Sequence, residues 1–583
     1  MLRTHNCGEL RASDTDSEVV LAGWAAAVRD HGRFIFINLR DRFGITQVRC
    51  DEGTPAHEQA RPISAESVIQ VRGTVLSRGK DVNPNLKTGE IEVLAHEIKV
   101  LSQTLTPPFV IRDDSDAGEA LRLKYRYLDL RRSVMRKKIE TRVRITSYIR
   151  RYFEGLDFLE IETPILLKST PEGARDFLVP ARLRKGQFYA LPQSPQTYKQ
   201  ILMVAGFDRY FQIARCFRDE DLRADRQPEF TQLDAEMSFV ETGDIMDITE
   251  RLFKGLWHEF VGVKMDGPFP VLTYSEAMRR FGKDAPDLRY AMELIDLTQT
   301  VSDSTFGLFQ KTVENKGKVI AINVAGGADL SRKKIEALVE FVKSRGLGGL
   351  LWMKVTGSDV TGPGTKHIET TIKQAIIEQA DAKAGDLILA AAALEGPALS
   401  AMGALREEVA RQQELAKPDD WKFVWVVDFP MFEYNEEEDR PQAVHHPFTS
   451  LLPEDAGLLD SDPYKARARA YDIVLNGVEL GGGSIRNHDP DVQMRIFKAL
   501  GLNREQAMEK FGFLVEALSF GAPPHGGIAL GLDRIAMMAI GTDSIRDVIA
   551  FPKTTAGLDL MSGSPSEVSD RQLQELGLNI VKD

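Results

Sequence analysis

The segment Phe217-Arg218-Asp219-Glu220, followed closely by Gln227-Pro228-Glu229-Phe230, forms a stretch dense with charge. Strand-like runs flank it, from Tyr210 to Phe217 and from Phe230 to Val240. In the second run, apolar residues fall mainly on odd positions, while Gln232, Asp234, Glu236 and Ser238 fall on even ones. Period-two alternation places those four polar groups on one face. A hairpin with such a face makes a floor for a polar ligand. Arg218 offers a planar fork that matches phosphate oxygens. Taken alone, the same charge run also fits a solvated hairpin with surface ion pairs.

Five more segments carry groups that could do chemistry. Gly521 to Arg534 is rich in glycine, which lets backbone approach a ligand closely. Arg534 then stands at the start of a helix-like run, Ile535 to Ile540, aimed at the same anion. A glycine turn with a structural arginine is the plain alternative. Asp472 and Glu479 supply the hard oxygens that suit Mg²⁺ bound together with phosphates, unless they are simple surface acids. Ser169 to Asp176 reads as a loop able to close over a ligand. Ala190 to Lys199 gathers amide, hydroxyl and ammonium groups. His445 and His446 are neighbours whose side chains point different ways, so a hydrogen-bonding role for one of them fits better than a shared metal.

These groups need elements to hold them. Five short strand-like runs occur within roughly the first 105 residues: Val19–Trp24, Arg33–Leu39, Ile45–Arg49, Val68–Gly73 and Ile91–Leu94. They suggest a small barrel of the OB type. Pro107-Pro108 opens a linker. Ile139, Val143, Ile149 and Phe153 recur at roughly helical spacing, so residues 121–155 read as helix stopped by Gly155. Strands and helices alternate over 288–417 without a polar constellation, as an insertion would. Strands resume at Phe423 to Asp428.

Composition sets the outer bounds. The 583 residues are 43% hydrophobic and 27% charged, an ordinary globular balance. At about 100–200 residues per domain, three to five domains are expected. Net charge is −12, which disfavours a nucleic-acid partner only weakly, because a local basic stripe suffices for phosphate contacts. Cys7, Cys50 and Cys216 form no CxxC pair, so neither disulfide framework nor cysteine–zinc site is expected, in keeping with the reducing cytoplasm. No run of about 18 apolar residues occurs, and the first ten residues lack a secretory apolar core.

Taken together, the segments resemble a class II aminoacyl-tRNA synthetase. Gly155 to Pro164 resembles its motif 1, Phe217 to Asp234 motif 2 and Gly526 to Arg534 motif 3. The likeness is closer still to the bacterial aspartyl-tRNA synthetase family. It rests on LKYRYLDLRR at 123–132, STPEGARDFLVP at 169–180, FYALPQSPQ at 188–196, CFRDEDLRADRQPEFTQLD at 216–234, HHPFTS at 445–450 and IRDVIAFPKTT at 545–555. The resemblance implies an α+β multidomain fold. Residues 1–105 would be an anticodon-binding OB-fold barrel and 106–139 a linker. Residues 140–287 and 418–555 would form an antiparallel-sheet catalytic domain flanked by helices. Residues 288–417 would be an inserted α/β, GAD-like domain and 556–583 a C-terminal extension. A homodimer is implied as well.

The resemblance also implies roles. Glu172, Ser194, Gln196 and Asp234 would hold the ammonium side of L-aspartate. Lys199 and Arg486 would bind its side-chain carboxylate, with His445 or His446 nearby. Arg218, Asp219, Glu220, Gln227, Glu479, Gly531, Leu532, Asp533 and Arg534 would hold ATP, with Arg218, Arg534 and Glu220 at the reacting centre. Asp472 and Glu479 would hold Mg²⁺. Two cations at one site suit an aspartate side chain. An asparagine pocket would need an amide reader and a lysine pocket carboxylates. In the barrel, Arg29, His31, Phe36, Gln47, Arg78 and Glu92 match anticodon-reading positions of tRNA-Asp. Histidine at 31 further suggests that tRNA-Asn is charged, whereas strictly tRNA-Asp-specific relatives tend to have leucine there. A polar turn residue is the plain reading of His31. A non-catalytic RNA-binding paralogue would be expected to lack Arg218, Glu479 or Arg534, and all are present. Two departures stand out. Ala26-Ala27-Val28 replaces a common arginine run before Arg29, and Ala285 stands where relatives commonly have lysine.

Overall fold

The computed structural model describes residues 2–170, 174–220, 226–436 and 439–581. The chain divides into two compact units, Met1–Val134 and Met135–Asp583.

The first unit is built on a closed barrel. Its strands are β1 (Glu18–Asp30), β2 (Phe34–Arg40), β3 (Ile45–Asp51), β4 (Val68–Ser77) and β5 (Ile91–Ser102), in the order β1-β2-β3-β5-β4. Alternation decides which side chains fill it. Val19 and Leu21, Ile35 and Ile37, Val48, Ile69 and Val71, and Ile91 and Val93 point inward and are almost wholly buried. A short helix, Pro55–Ala60, follows β3. The Thr54 hydroxyl accepts a hydrogen bond from the His57 amide there, and proline occupies the first turn, where its missing N–H costs nothing.

The helix expected over 121–155 is three pieces, Glu119–Lys124, Arg126–Asp129 and Ser133–Glu154. Tyr125 leaves helical geometry at φ −110, ψ 45. The fully buried Asp129 then draws Arg126 and Arg132 onto its two oxygens at 2.7 and 2.8 Å. That charge triad accounts for much of the 123–132 string. In the long helix the buried stripe is Ile145, Ile149 and Phe153, at i, i+4 and i+8. Val143, expected on that stripe, is exposed. Two residues before Ile145, it lies about 200° round the helix, on the opposite side.

The second unit is organised by an eight-stranded sheet. Its strands are β6 (Leu159–Glu160), β7 (Arg209–Phe217), β8 (Glu229–Ser238), β9 (Val271–Thr273), β10 (Phe423–Val427), β11 (Ala470–Leu475), β12 (Val478–Ile485) and β13 (His525–Gly531). They run in the order β9-β10-β11-β12-β13-β8-β7-β6, antiparallel except at the two edge pairs. One face buries Phe211, Leu233, Trp425, Ile473 and Leu530. Against it pack the helices Ser133–Glu154, Thr242–Leu256 and Leu532–Ile540. The other face carries the polar side chains. Phe239, expected to continue the apolar alternation, lies beyond β8 at φ 59 and is 73% exposed. Asp533 ties the apolar layer together. Its carboxylate meets Arg142 at 2.5 Å and accepts from the Thr231 amide at 2.9 Å.

Between β9 and β10 the chain builds a second, five-stranded antiparallel sheet. Its order is Ile295–Asp296, Lys318–Val324, Leu387–Ala393, Leu351–Val355, Val360–Thr361. Helices cover both faces, so Val319, Ile320, Ala321 and Ile322 are buried in succession rather than alternately. Ala285 is buried in an apolar cluster with Leu272 and Phe281, which explains how a small residue is accommodated there. Among the described residues, no helix is long and apolar enough to cross a membrane.

Candidate active site

The polar face of the large sheet forms the floor of a cavity of ≈ 490 Å³, in the range of small-molecule sites. It has two chemically distinct ends.

At one end, buried charges alternate. Lys199, on the helix Gln196–Val204, places Nζ 2.7 Å from Asp234 and 3.3 Å from Glu236, both on β8. Arg486, just past β12, reaches Glu236 through Nε at 2.8 Å and Nη2 at 3.0 Å. Its Nη1 points to Ser484 Oγ at 2.6 Å and His446 Nε2 at 2.6 Å. Asp234 and Glu236 are fully buried, and Lys199 and Arg486 nearly so. Glycines make room. A Cβ at Gly527, opposite Glu236 on β13, would collide with the Glu236 carboxylate.

Protonation at this end follows from burial and neighbours. Burial raises the Asp234 carboxyl despite Lys199 beside it. Burial acts on Glu236 in the same direction, but Arg486 and Lys199 outweigh it and hold that group below the usual carboxylate range. Burial and the Arg486 charge keep His446 neutral, its pKa well below the ordinary value. Its neighbour goes the other way. Burial would lower His445, but Asp472 at 3.0 Å raises it. The two histidines turn to different partners, His445 to Asp472 and His446 to Arg486.

The other end suits phosphate. Arg218 lies over the Phe230 ring at 5.2 Å, and among the described residues its buried Nε has no hydrogen-bond partner. Arg534 sits in the first turn of Leu532–Ile540 and donates to the Glu479 carbonyl at 2.8 Å, with the Glu479 carboxylate 3.9 Å away. Asp472 and Asp284 face Glu479 across the cavity. The Glu479 and Asp284 side chains stay open to the cavity, with half of Glu479 exposed, and their partial desolvation there and then Asp472 push both carboxyls up. A Cβ at Gly482 would strike Asp472, so the glycine run of β12 is needed for this carboxylate too.

The structure gathers Ser194, Gln196, Lys199, His445, His446, Arg486, Arg218, Glu220, Gln227, Asp472, Glu479, Gly531 and Arg534 along the cavity wall. Several expectations change. Lys199 and Arg486 are not a pair of unmatched cations: Asp234 and Glu236 neutralise them, because bare charge is costly to bury. Asp234 lies behind Lys199 rather than on the wall. The Asp219 side chain is exposed and its backbone pairs with Arg175, while Leu532 is core. Asp533 lines the cavity, but its carboxylate is spent on Arg142 and Thr231. The Gln227 amide is engaged at both ends by the Lys553 backbone, at 2.7 and 3.1 Å. Glu172 lies outside the described residues. The residues missed are Glu236, Ser484, Phe230 and Asp284. Alternation alone puts Glu236 on the polar face of β8 but cannot show its buried partner Arg486.

On the barrel, β2, β3 and β5 present a polar–aromatic face. Gln47 donates to Glu92 at 2.9 Å and Arg49 donates to the same carboxylate at 2.7 Å. Arg29 donates to Asn38 at 3.1 Å. Phe36 meets His31 edge to face at 5.8 Å. A buried Nη1 of Arg78 has no partner among the described residues. Phe36 is half-buried and His31 exposed, and aromatic rings beside amide and guanidinium groups are how single-stranded bases are stacked and read.

Comparison with known proteins agrees with the fold of both units. Residues 118–555 match the family described as tRNA synthetases class II (D, K and N), and residues 19–101 match the OB-fold nucleic acid binding domain. An aspartate–tRNA(Asp/Asn) ligase of Caldanaerobacter subterraneus subsp. tengcongensis is 53% identical over 99% of this chain and 98% of its own length. One from Thermoanaerobacter sp. is 51% identical over the same shares. An aspartate–tRNA ligase of Ruminiclostridium cellulolyticum is 49% identical over 100% and 98%. Among solved structures, asparaginyl-tRNA synthetase from Pyrococcus horikoshii complexed with asparaginyl-adenylate shares the fold, with TM-score 0.59 at 18% identity over 95% of this chain and 99% of that one. The barrel, the antiparallel sheet and the full-length identity together place this chain in the class II tRNA synthetases, as a member of the aspartate–tRNA ligase family.

Proposed function

We propose that this chain joins L-aspartate to ATP, releasing pyrophosphate, and then passes the aspartyl group to the 3′-terminal adenosine of tRNA-Asp and of tRNA-Asn, releasing AMP. The observation that carries this reading is the two-ended cavity. Lys199 and Arg486 stand at one end, and Arg218 and Arg534 at the other. In it, Arg486 Nη1 and Lys199 receive the substrate's side-chain carboxylate, while Ser194 and Gln196, with Glu172, receive its ammonium. Asp234 takes part through Lys199. The α-carboxylate attacks the α-phosphorus in line, a step that needs positioning and charge neutralisation more than proton transfer. Arg218 lies at the α-phosphate and Arg534 at the far phosphate, with Glu220 beside them. Replacing Arg486 with Leu should cost about 2–5 kcal/mol of transition-state binding, roughly 30- to 5,000-fold in kcat/KM for aspartate. ATP–pyrophosphate exchange without tRNA measures it. Near-normal exchange would remove the pocket assignment.

Mg²⁺ fits the phosphate end. Among the described residues no three His, Cys, Asp or Glu groups gather as a closed metal cage. An open pair of carboxylates completed by phosphates is how Mg²⁺ is usually bound. The mutual repulsion of Asp472 and Glu479 is what a cation there would relieve. When bound, the ion would neutralise charge on the phosphates. The sign of the Glu479 shift gives a test. Its folded pKa is raised, so ionising it costs stability once pH passes from the unfolded value, about 4.3, through the folded one. Half of the Glu479 side chain faces solvent, which screens the repulsion, so Glu479→Gln should raise the unfolding midpoint of ligand-free protein at pH 7–8 only slightly, and the gain should vanish near pH 4. An unchanged midpoint at pH 7–8 would contradict it.

The chain is proposed to work in the cytoplasm as a homodimer. Val143, Leu159, Ile165 and Leu166 are exposed around the motif 1 segment and suit burial against a second copy. Sedimentation at micromolar concentration should give twice 65.1 kDa. A fully active monomer would refute it.

The tRNA-Asn assignment rests on His31 beside Phe36 on the barrel. Imidazole can donate or accept, so it can satisfy a cytosine or a uracil edge, which leucine cannot. With purified transcripts, His31→Leu should lower aspartylation of tRNA-Asn relative to tRNA-Asp by up to about tenfold, one hydrogen bond's worth. If the native protein charges only tRNA-Asp, the narrower specificity is correct.

A further inference from the structure

Behind the amino-acid end a hydrogen-bond chain runs to Gln196 through two side chains that have none of the roles above. His525 at the start of β13 and Gln200 on the helix Gln196–Val204 are fully buried. Nδ1 of His525 lies 2.7 Å from the Pro523 carbonyl oxygen. A carbonyl only accepts, so Nδ1 carries the hydrogen. In a neutral imidazole Nε2 must then accept. It lies 3.2 Å from the Gln200 amide nitrogen, which therefore donates. The other end of that amide, Oε1, lies 3.1 Å from the Gln196 amide nitrogen. Gln196 must donate in turn. What remains of its amide for the cavity is Oε1, an acceptor with no partner among the described residues.

The direction of the whole chain is thus set by one carbonyl. Burial supports it by keeping His525 neutral: burial lowers its pKa, and Arg486 and His488 add to this against the opposing pull of Glu236. If any link reversed, Gln196 would turn its NH₂ group to the cavity. An ammonium ion there would then face a donor, and that mismatch costs about as much as a lost charge-assisted hydrogen bond.

We propose that His525 and Gln200 are positioning residues that lock the Gln196 amide with its carbonyl oxygen toward the cavity, making that point of the site a reader of the substrate's ammonium group. The proposal rests on the ammonium role given to Gln196 above. It adds two residues, remote from substrate, that decide which end of an otherwise ambiguous amide the substrate meets.

The test is ATP–pyrophosphate exchange by the full chain carrying His525→Leu or Gln200→Met, which remove the template while roughly keeping volume. KM for L-aspartate should rise about ten- to a hundredfold, with KM for ATP unchanged. Competitive inhibition by succinate, which has both carboxylates and no ammonium, should be unaltered. His525→Gln, whose amide oxygen can take the place of Nε2, should restore most of the aspartate affinity. A parallel weakening of succinate would mean general distortion of the pocket and would overturn the proposal, as would an unchanged KM for aspartate. If His525→Leu does not fold, Gln200→Met carries the same expectation. Gln196→Met separates the two layers. If it raises KM for aspartate while the two remote variants do not, the relay alone is wrong. If it leaves KM unchanged, the ammonium role itself is wrong and the relay falls with it.

Discussion

The buried quartet Lys199, Asp234, Glu236 and Arg486 is the interaction on which the rest of the catalytic unit depends. Two cations cannot be sunk into a protein floor unless anions go with them. The quartet meets that need with carboxylates from a single strand, two residues apart and so on one face. The surrounding sequence accommodates it. Gly527 is bare because the Glu236 carboxylate occupies the space a side chain would take, and Gly482 is bare because Asp472 does the same further along. The glycine-rich strands therefore serve close packing against buried carboxylates as well as access for a ligand.

The balance of charge differs between the ends. At the amino-acid end cation and anion are matched, so the pocket is preorganised and its histidine neutral. At the phosphate end, Glu479 and Asp284 both feel the Asp472 charge, and Arg218 keeps a buried nitrogen without a partner among the described residues. One end is settled without ligand, while the other holds charges that phosphate and a cation would complete. This contrast suits an enzyme that must discriminate a small amino acid strictly and bind a common nucleotide.

The antiparallel sheet makes this possible by separating the tasks of its two faces. Helices shield one face, where Asp533 joins Arg142 and the Thr231 amide beneath the cavity. The polar face is left clear. The five-stranded insertion, covered on both sides of its sheet, solves its own burial problem with a continuous apolar run.

Local patterning in the chain already determined the barrel strands, the polar face of β8, the helix that follows the glycine-rich Gly521 to Arg534 segment and, through long motif strings, the family. Those features depend on period-two and period-3.6 alternation and on residues close in sequence. Only the tertiary structure decided which charges meet. Arg486 and Glu236 are 250 residues apart, and no periodicity announces that they share two hydrogen bonds. For the same reason no local pattern shows that Asp533 and Gln227, both on the cavity wall, are held by Arg142 and by the Lys553 backbone. Val143 and Phe239 kept the right residue type and left the expected face, because a helix phase and a strand end are set by packing. A side chain's chemistry is written in the sequence, but in a buried site its role depends on the partner that burial forces upon it, and that partner comes from elsewhere in the fold.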